Sequence, residues 1–144
     1  MTVLHVAFKV AGAEYVLPAS AVLHLESFEG ATKVPGTSEF VAGLVHTRGQ
    51  VVPVLDLRVR FGLPPGERSL DSRVIIVQVG TRTAGLLVDS AREVLDIEDD
   101  AFREPPELID EQAKGLIKAV AQTAERMVML INLPKLIGDQ AHAK

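Results

Sequence analysis

Apolar and polar side chains alternate from Met1 to Val10, and Val3 to Val10, Glu14 to Pro18 and Val22 to Phe28 all have the character of strands. A period of two places one set of side chains on a buried face, so these runs predict three strands. Gly30 to Ser38 breaks the pattern with turn-forming residues. From Gly43 to Leu57, two β-type apolar runs flank a short polar turn that contains one Arg-Gly pair. Val51, Val52, Val54 and Leu55 suit a pleated, half-buried surface, while Arg48 and Gly49 put a fixed charge and a permissive backbone at the tip. The spacing predicts a hairpin whose turn is offered to a partner, followed by a short helix over Leu57 to Phe61. Strands then follow at Arg73 to Val79, Ala84 to Val88 and Glu93 to Ile97, with a Pro105-Pro106 connection and a second hairpin from Leu116 to Leu133. A final helical turn begins near Pro134.

The two halves echo one another. Gly43-Leu44-Val45 lies 72 positions before Gly115-Leu116-Ile117, and Val52 to Leu57 lies 76 before Val128 to Leu133. Two such β units, about 1–72 and 73–144, could each curl into a small barrel that removes exposed edges, and the two could then pack face to face. A chance match of short apolar strings would produce the same echo. Asp56 and Asn132 occupy matching positions before the expected helices, where a side-chain oxygen caps the first turn. Gly12, Gly49 and Gly80 read as turn positions that need an unusual backbone angle.

With 144 residues, a compact chain buries about 70% of its unfolded surface, so the core needs no disulfide or metal support. Cysteine is absent, which removes thiolate chemistry and fits a reducing, cytoplasmic setting. No secretory signal is visible at the N-terminus, and no apolar run approaches the roughly 18 residues of a membrane span. A net charge of −4, with five Phe and one Tyr as the only aromatics, gives neither a basic footprint nor a stacking platform for nucleic acid. Arg58, Arg60, Arg68 and Arg73 are read as solvated.

Catalytic signatures are missing. The chain has no nucleophile elbow, Gly-rich phosphate loop, dinucleotide fingerprint or His-Glu-x-x-His site. His5, His24, His46 and His142 are scattered, although His24 and His46 could meet in space. Asp96, Glu98, Asp99 and Asp100 read as a solvated, turn-forming acidic run. Ser20, His24 and Asp89 form a triad only if geometry unites them.

Residues 43–57 resemble the Gly-x-x-Asn-Leu-Arg-Gly-x-x-x-Pro-x-x-Asp-Leu pattern of the CheW-like domain, the adaptor family that couples chemoreceptors to the histidine kinase CheA. Glu14 to Pro18, Gly85 to Asp89, the Pro105-Pro106 loop and Met127 to Leu136 extend the resemblance over Val3 to Ile137. It implies a mainly β fold of two tandem five-stranded SH3-like barrels around a shared hydrophobic core, and no enzymatic activity or cofactor. It further implies two partners, the cytoplasmic tip of a methyl-accepting chemoreceptor and the regulatory domain of a CheA-type kinase. Nucleic-acid binding and direct membrane insertion are not implied, and localisation would be cytoplasmic at receptor arrays. Carried over by position, Val22, His24, Gly43, His46, Arg48 and Gly49 become receptor-side candidates, with Glu26 and Asp56 orienting them.

Two departures stand out. His46-Thr47 replaces Asn-Leu, and His24 replaces the acidic residue of the third strand that pairs with the hairpin arginine in the family. Glu26, two residues on and hence on the same strand face, is the expected substitute partner of Arg48. Two further readings stay open: a small-molecule or metal-binding sensor using His24, His46 and Glu26, and a paralogue serving gliding, pilus or another signalling array.

Overall fold

The structure is a computed structural model and describes residues 2–66, 69–106, 115–123 and 126–138. The first half contributes β1 (Thr2–Val10), β2 (Ala13–Pro18), β3 (Val22–Ser27), β4 (Val41–Thr47), β5 (Gln50–Asp56) and helix α1 (Leu57–Arg60). The second contributes β6 (Arg73–Val79), β7 (Arg82–Val88), β8 (Ser90–Glu98), β9 (Phe102–Arg103), β10 (Ile117–Thr123), β11 (Arg126–Ile131) and helix α2 (Leu133–Ile137). The expected strands and both helices are present. The two-residue β9 carries no periodic signal and was not foreseen. The tip of the second hairpin lies outside the described residues.

Strand pairing interleaves the halves. One sheet runs β8-β1-β2-β11-β10-β9 and the other β3-β6-β7-β5-β4, with parallel pairs at β2–β11 and β5–β7. The fold is thus the mainly β, two-barrel architecture expected, and β9 makes one sheet six-stranded rather than five. Each sheet curls around its own small core, Ala7, Val16, Ile97, Ala121 and Val128 in one and Val52, Val54, Val74 and Ile76 in the other. The opposite faces meet in a larger shared core that includes Phe8, Leu17, Leu55, Ile75, Leu86 and Leu136. Strands of β6 and β7 are buried on both faces, which explains why Val74 to Val77 reads as a continuous apolar run rather than an alternating one.

Of the arginines expected to be solvated, Arg58 and Arg60 instead tie elements together. Arg58 forks onto Asp89, with Nε–Oδ1 at 3.0 Å and Nη2–Oδ2 at 2.7 Å. Arg60 donates to the carbonyls of Leu136 and Lys135 at the end of α2 and lies 4.6 Å from the centre of the Phe40 ring. Arg73 donates to the carbonyls of Leu70 and Ser72. Arg68 lies outside the described residues. A lone arginine in a sequence carries no sign of such partners where, as for Arg58 and Arg60, they come from residues distant in the chain. Asp56 and Asn132 do cap: their side-chain oxygens accept from the backbone N–H groups of Arg58 and Lys135.

Candidate adaptor surface

The hairpin tip follows from its backbone. Arg48 and Gly49 have φ of +50° and +78°, the signs that a two-residue type I′ turn requires to match the twist of its strands. Gly49 adopts this without strain, whereas Arg48 incurs about 1–2 kcal/mol for a left-handed conformation. The strained, exposed residue at the tip is therefore the one charge in the turn. His46, opposite Val51 on the outer face, is also exposed.

Three residues from two separate elements converge below the tip. The His24 Nε2 lies 2.9 Å from Glu26 Oε2 and 3.3 Å from Thr47 Oγ1, and the Thr47 hydroxyl donates to the same Glu26 oxygen. Because β3 and β4 are the outer strands of the five-stranded sheet, this cluster latches the two edges of the curled sheet together. Among the described residues no ion pair joins Arg48 to Glu26, which corrects the expected pairing: Thr47 and His24 take the carboxylate first. Thr47 is the member that the sequence did not single out. It stands where the family pattern has Leu, and only a hydroxyl there can donate.

The Thr47 hydrogen bond is the largest influence on Glu26 and holds its carboxyl below the ordinary 4.5, outweighing burial, with His24 and the more distant Arg48 charge adding to it. A depressed folded pKa means that the latch contributes fully above about pH 4.5 and is lost as pH falls through the folded value. Replacement of Thr47 by Val is expected to return the Glu26 titration toward the ordinary carboxylate range, read by the pH dependence of its side-chain carbonyl resonance. An unmoved titration would remove Thr47 from the latch.

Val22 sits at the start of β3, packed against the shared core, and Gly43 is buried in β4. Asp56 caps α1 at the far end of β5 from the tip. The histidine sensor reading gains no support, since His46 turns outward while His24 turns to the latch, and no group of three or more potential metal ligands forms among the described residues. Ser20, His24 and Asp89 do not act together, because Asp89 is held by Arg58 and by the Ala11 N–H.

The sequence reading also missed an apolar flank beside the junction of the sheets. On β3, Leu25 stands opposite core residue Ile75 yet is 42% exposed, and Leu23 is 49% exposed. On β8 and β1, Val94 is opposite Val6 and shares a face with core residue Leu17, but Val94 is 60% and Leu4 51% exposed. β1 also abuts the 3-10 turn Ala19–Ala21 that leads into β3. The faces that form the shared core therefore continue past it into water on both sheets. Residues that alternate correctly for burial give no hint in sequence that the covering partner is absent.

Similarity to known proteins agrees with this geometry. The chemotaxis protein CheW of Bacillus subtilis is 29% identical over 136 residues, covering 94% of this chain and 87% of the relative. Protein FrzA of Myxococcus xanthus is 30% identical over 133 residues, covering 90% and 82%. The crystal structure of the scaffolding protein TtCheW from Thermoanaerobacter tengcongensis superposes with a TM-score of 0.86 at 34% identity, covering 95% of this chain and 93% of that one. The CheW-like domain matches residues 5–141, so with this fold the chain belongs to the CheW-like family of chemotaxis adaptors.

Proposed function

We propose that the chain is a non-catalytic coupling adaptor that holds a chemoreceptor tip and a CheA-type histidine kinase in one assembly. The observation that carries this reading is the set of exposed apolar side chains Leu23 and Leu25 on β3 and Leu4 and Val94 on β1 and β8, which continue the faces of the shared core into water. Apolar side chains there supply binding energy, and the exposed Arg48 guanidinium fixes register. Val22, His24, Gly43, His46, Arg48 and Gly49 form the receptor side, with Glu26 holding β3 to β4 and Asp56 holding the base of the hairpin to α1. Simultaneous engagement of two partners raises the effective concentration of each for the other, so no bond-making chemistry is required.

The reading is tested by co-sedimentation of kinase with receptor-bearing vesicles. Leu25→Glu should reduce recruitment at least tenfold, and Arg48→Ala severalfold, with thermal unfolding of both variants close to that of the parent. Unchanged recruitment by Leu25→Glu would remove the flank from the interface.

A further inference from the structure

The two halves meet differently at their two matching junctions. At one, Arg58, Asp89 and the Ala11 N–H form a polar staple. The 76-residue offset that carries Asp56 to Asn132 puts Pro134 in the place of Arg58. Ala19, which follows β2, takes the place of Asp89, which follows β7. Neither proline nor alanine has a polar side chain, so no such fork forms at the second junction. In its place is an open recess of about 340 Å³, walled by Pro18, Ala21, Val79, Leu130 and Pro134. Its floor is Ile131 and Leu133 of the shared core. That volume falls at the small end of the roughly 300–1,000 Å³ typical of small-molecule sites.

Three polar side chains also line the recess. Lys118 is the charged one. It is the extra residue of a β-bulge, since Ile117 pairs with Ile131 but Ala119 with Leu130, and a bulge re-aims a side chain out of the regular alternation. Lys118 is exposed and joins none of the ion pairs among the described residues. Asn132 gives its Oδ1 to the Lys135 N–H as the cap of α2, which leaves its NH2 group to donate. The matching cap at the first junction is Asp56, whose negative charge would repel an anion. Gln78 donates to the Gly80 carbonyl. An ammonium and an amide donor beside an apolar floor fit a carboxylate carried on a small hydrocarbon body.

We propose that this recess is a binding site for a small monocarboxylate with an aromatic or branched aliphatic body. The body rests on Ile131 and Leu133, and the carboxylate accepts from Lys118 and the Asn132 amide. A ligand so placed touches β2, β6, β10, β11 and α2 together, and so joins the sheets at this junction as Arg58 and Asp89 join them at the other. The site shares no residue with the receptor-side set and does not rest on the adaptor reading.

The probe is 3-phenylpropionate, titrated to about 10 mM into the intact chain labelled with 15N and with 13C at its methyl groups. Expected are saturable shifts centred on the methyl groups of Ala21, Val79, Leu130 and Ile131 and on the Lys118 amide, with a Kd of about 1 mM. The thermal midpoint should rise by about 3–6 °C at tenfold the Kd. The uncharged 3-phenylpropanamide should bind at least fivefold more weakly, and acetate should leave the methyl groups unshifted. Lys118→Gln should weaken the acid severalfold and leave the amide unchanged. Ala21→Leu, which fills the recess from its wall, should abolish binding of both compounds; if that variant does not fold, the Lys118→Gln comparison decides alone. Absent shifts, shifts centred on Leu4, Leu23, Leu25 or Val94, equal binding of acid and amide by the parent, or an acid affinity unchanged in Lys118→Gln would each overturn the proposal.

Discussion

Gly43→Ala is expected to destabilise the chain by about 2–4 kcal/mol, lowering the thermal midpoint by roughly 6–12 °C. Gly43 has φ of +145°, and a Cβ placed on it would stand 2.4 Å from the Thr32 carbonyl oxygen and 2.7 Å from the carbonyl carbon. Two costs combine: a backbone region closed to L side chains and a collision with main chain that cannot rotate aside. Relief would require Thr32 to withdraw from Leu44, which breaks the pair of backbone hydrogen bonds that bridges them. Gly85 gives the comparison, since its Cβ would meet the Val74 side chain at 2.6 Å. That contact can be eased by repacking, so Gly85→Ala should cost less. Denaturant unfolding of the two variants checks the order, and a Gly43→Ala midpoint equal to the parent's would show that this bridge yields freely.

This bears on the meaning of the Gly at the head of the hairpin pattern. Placed among receptor-side candidates by position, it acts in the structure on the bridge behind the surface, and any effect on a partner passes through the shape of β4. The legible parts of the fold were those with a local signature. The apolar runs of β1 to β3, the Arg48-Gly49 turn and the caps Asp56 and Asn132 each depend on neighbours within a few residues. Interactions across long sequence separation were not legible. Glu26 meets Thr47 rather than Arg48 because the curl of the sheet, not the order of residues along β3, sets which β4 side chain reaches the carboxylate. Arg48 itself lies exposed at the tip, in a left-handed conformation. Likewise Leu23, Leu25 and Val94 look like core residues in sequence, and only the absence of covering atoms distinguishes them.

The other large effect expected is at Asp89, where one carboxylate joins both sheets. It accepts two bonds from Arg58, which follows β5 at the start of α1, and one at 2.8 Å from the N–H of Ala11 in the β1–β2 turn. Ala11 has φ of +53°, so the same bond also holds a left-handed turn residue in place. Each side chain is about one-third exposed, at 31% and 35%, which discounts the pair from the values of buried ion pairs. A bidentate fork plus a backbone bond still sets the cost of Asp89→Ala at about 2 kcal/mol, and that of Arg58→Ala at about 1 kcal/mol. A double-mutant cycle should return a coupling of about 1 kcal/mol, and Arg58→Lys should restore little of it, because an ammonium cannot present two parallel donors. Burial pushes the Asp89 carboxyl up, but the bonds from Arg58 and Ala11 and the Arg58 charge outweigh it and leave the pKa below 3.8. The staple is therefore fully present above about pH 3.8 and is lost as pH falls through the lower folded value. Additive single-mutant costs, or full rescue by lysine, would show that the sheets are held by the shared apolar core alone. If the coupling is found, Asp89 fixes how the two sheets sit against each other, and its loss should weaken partner recruitment even where Leu23, Leu25 and Arg48 are intact.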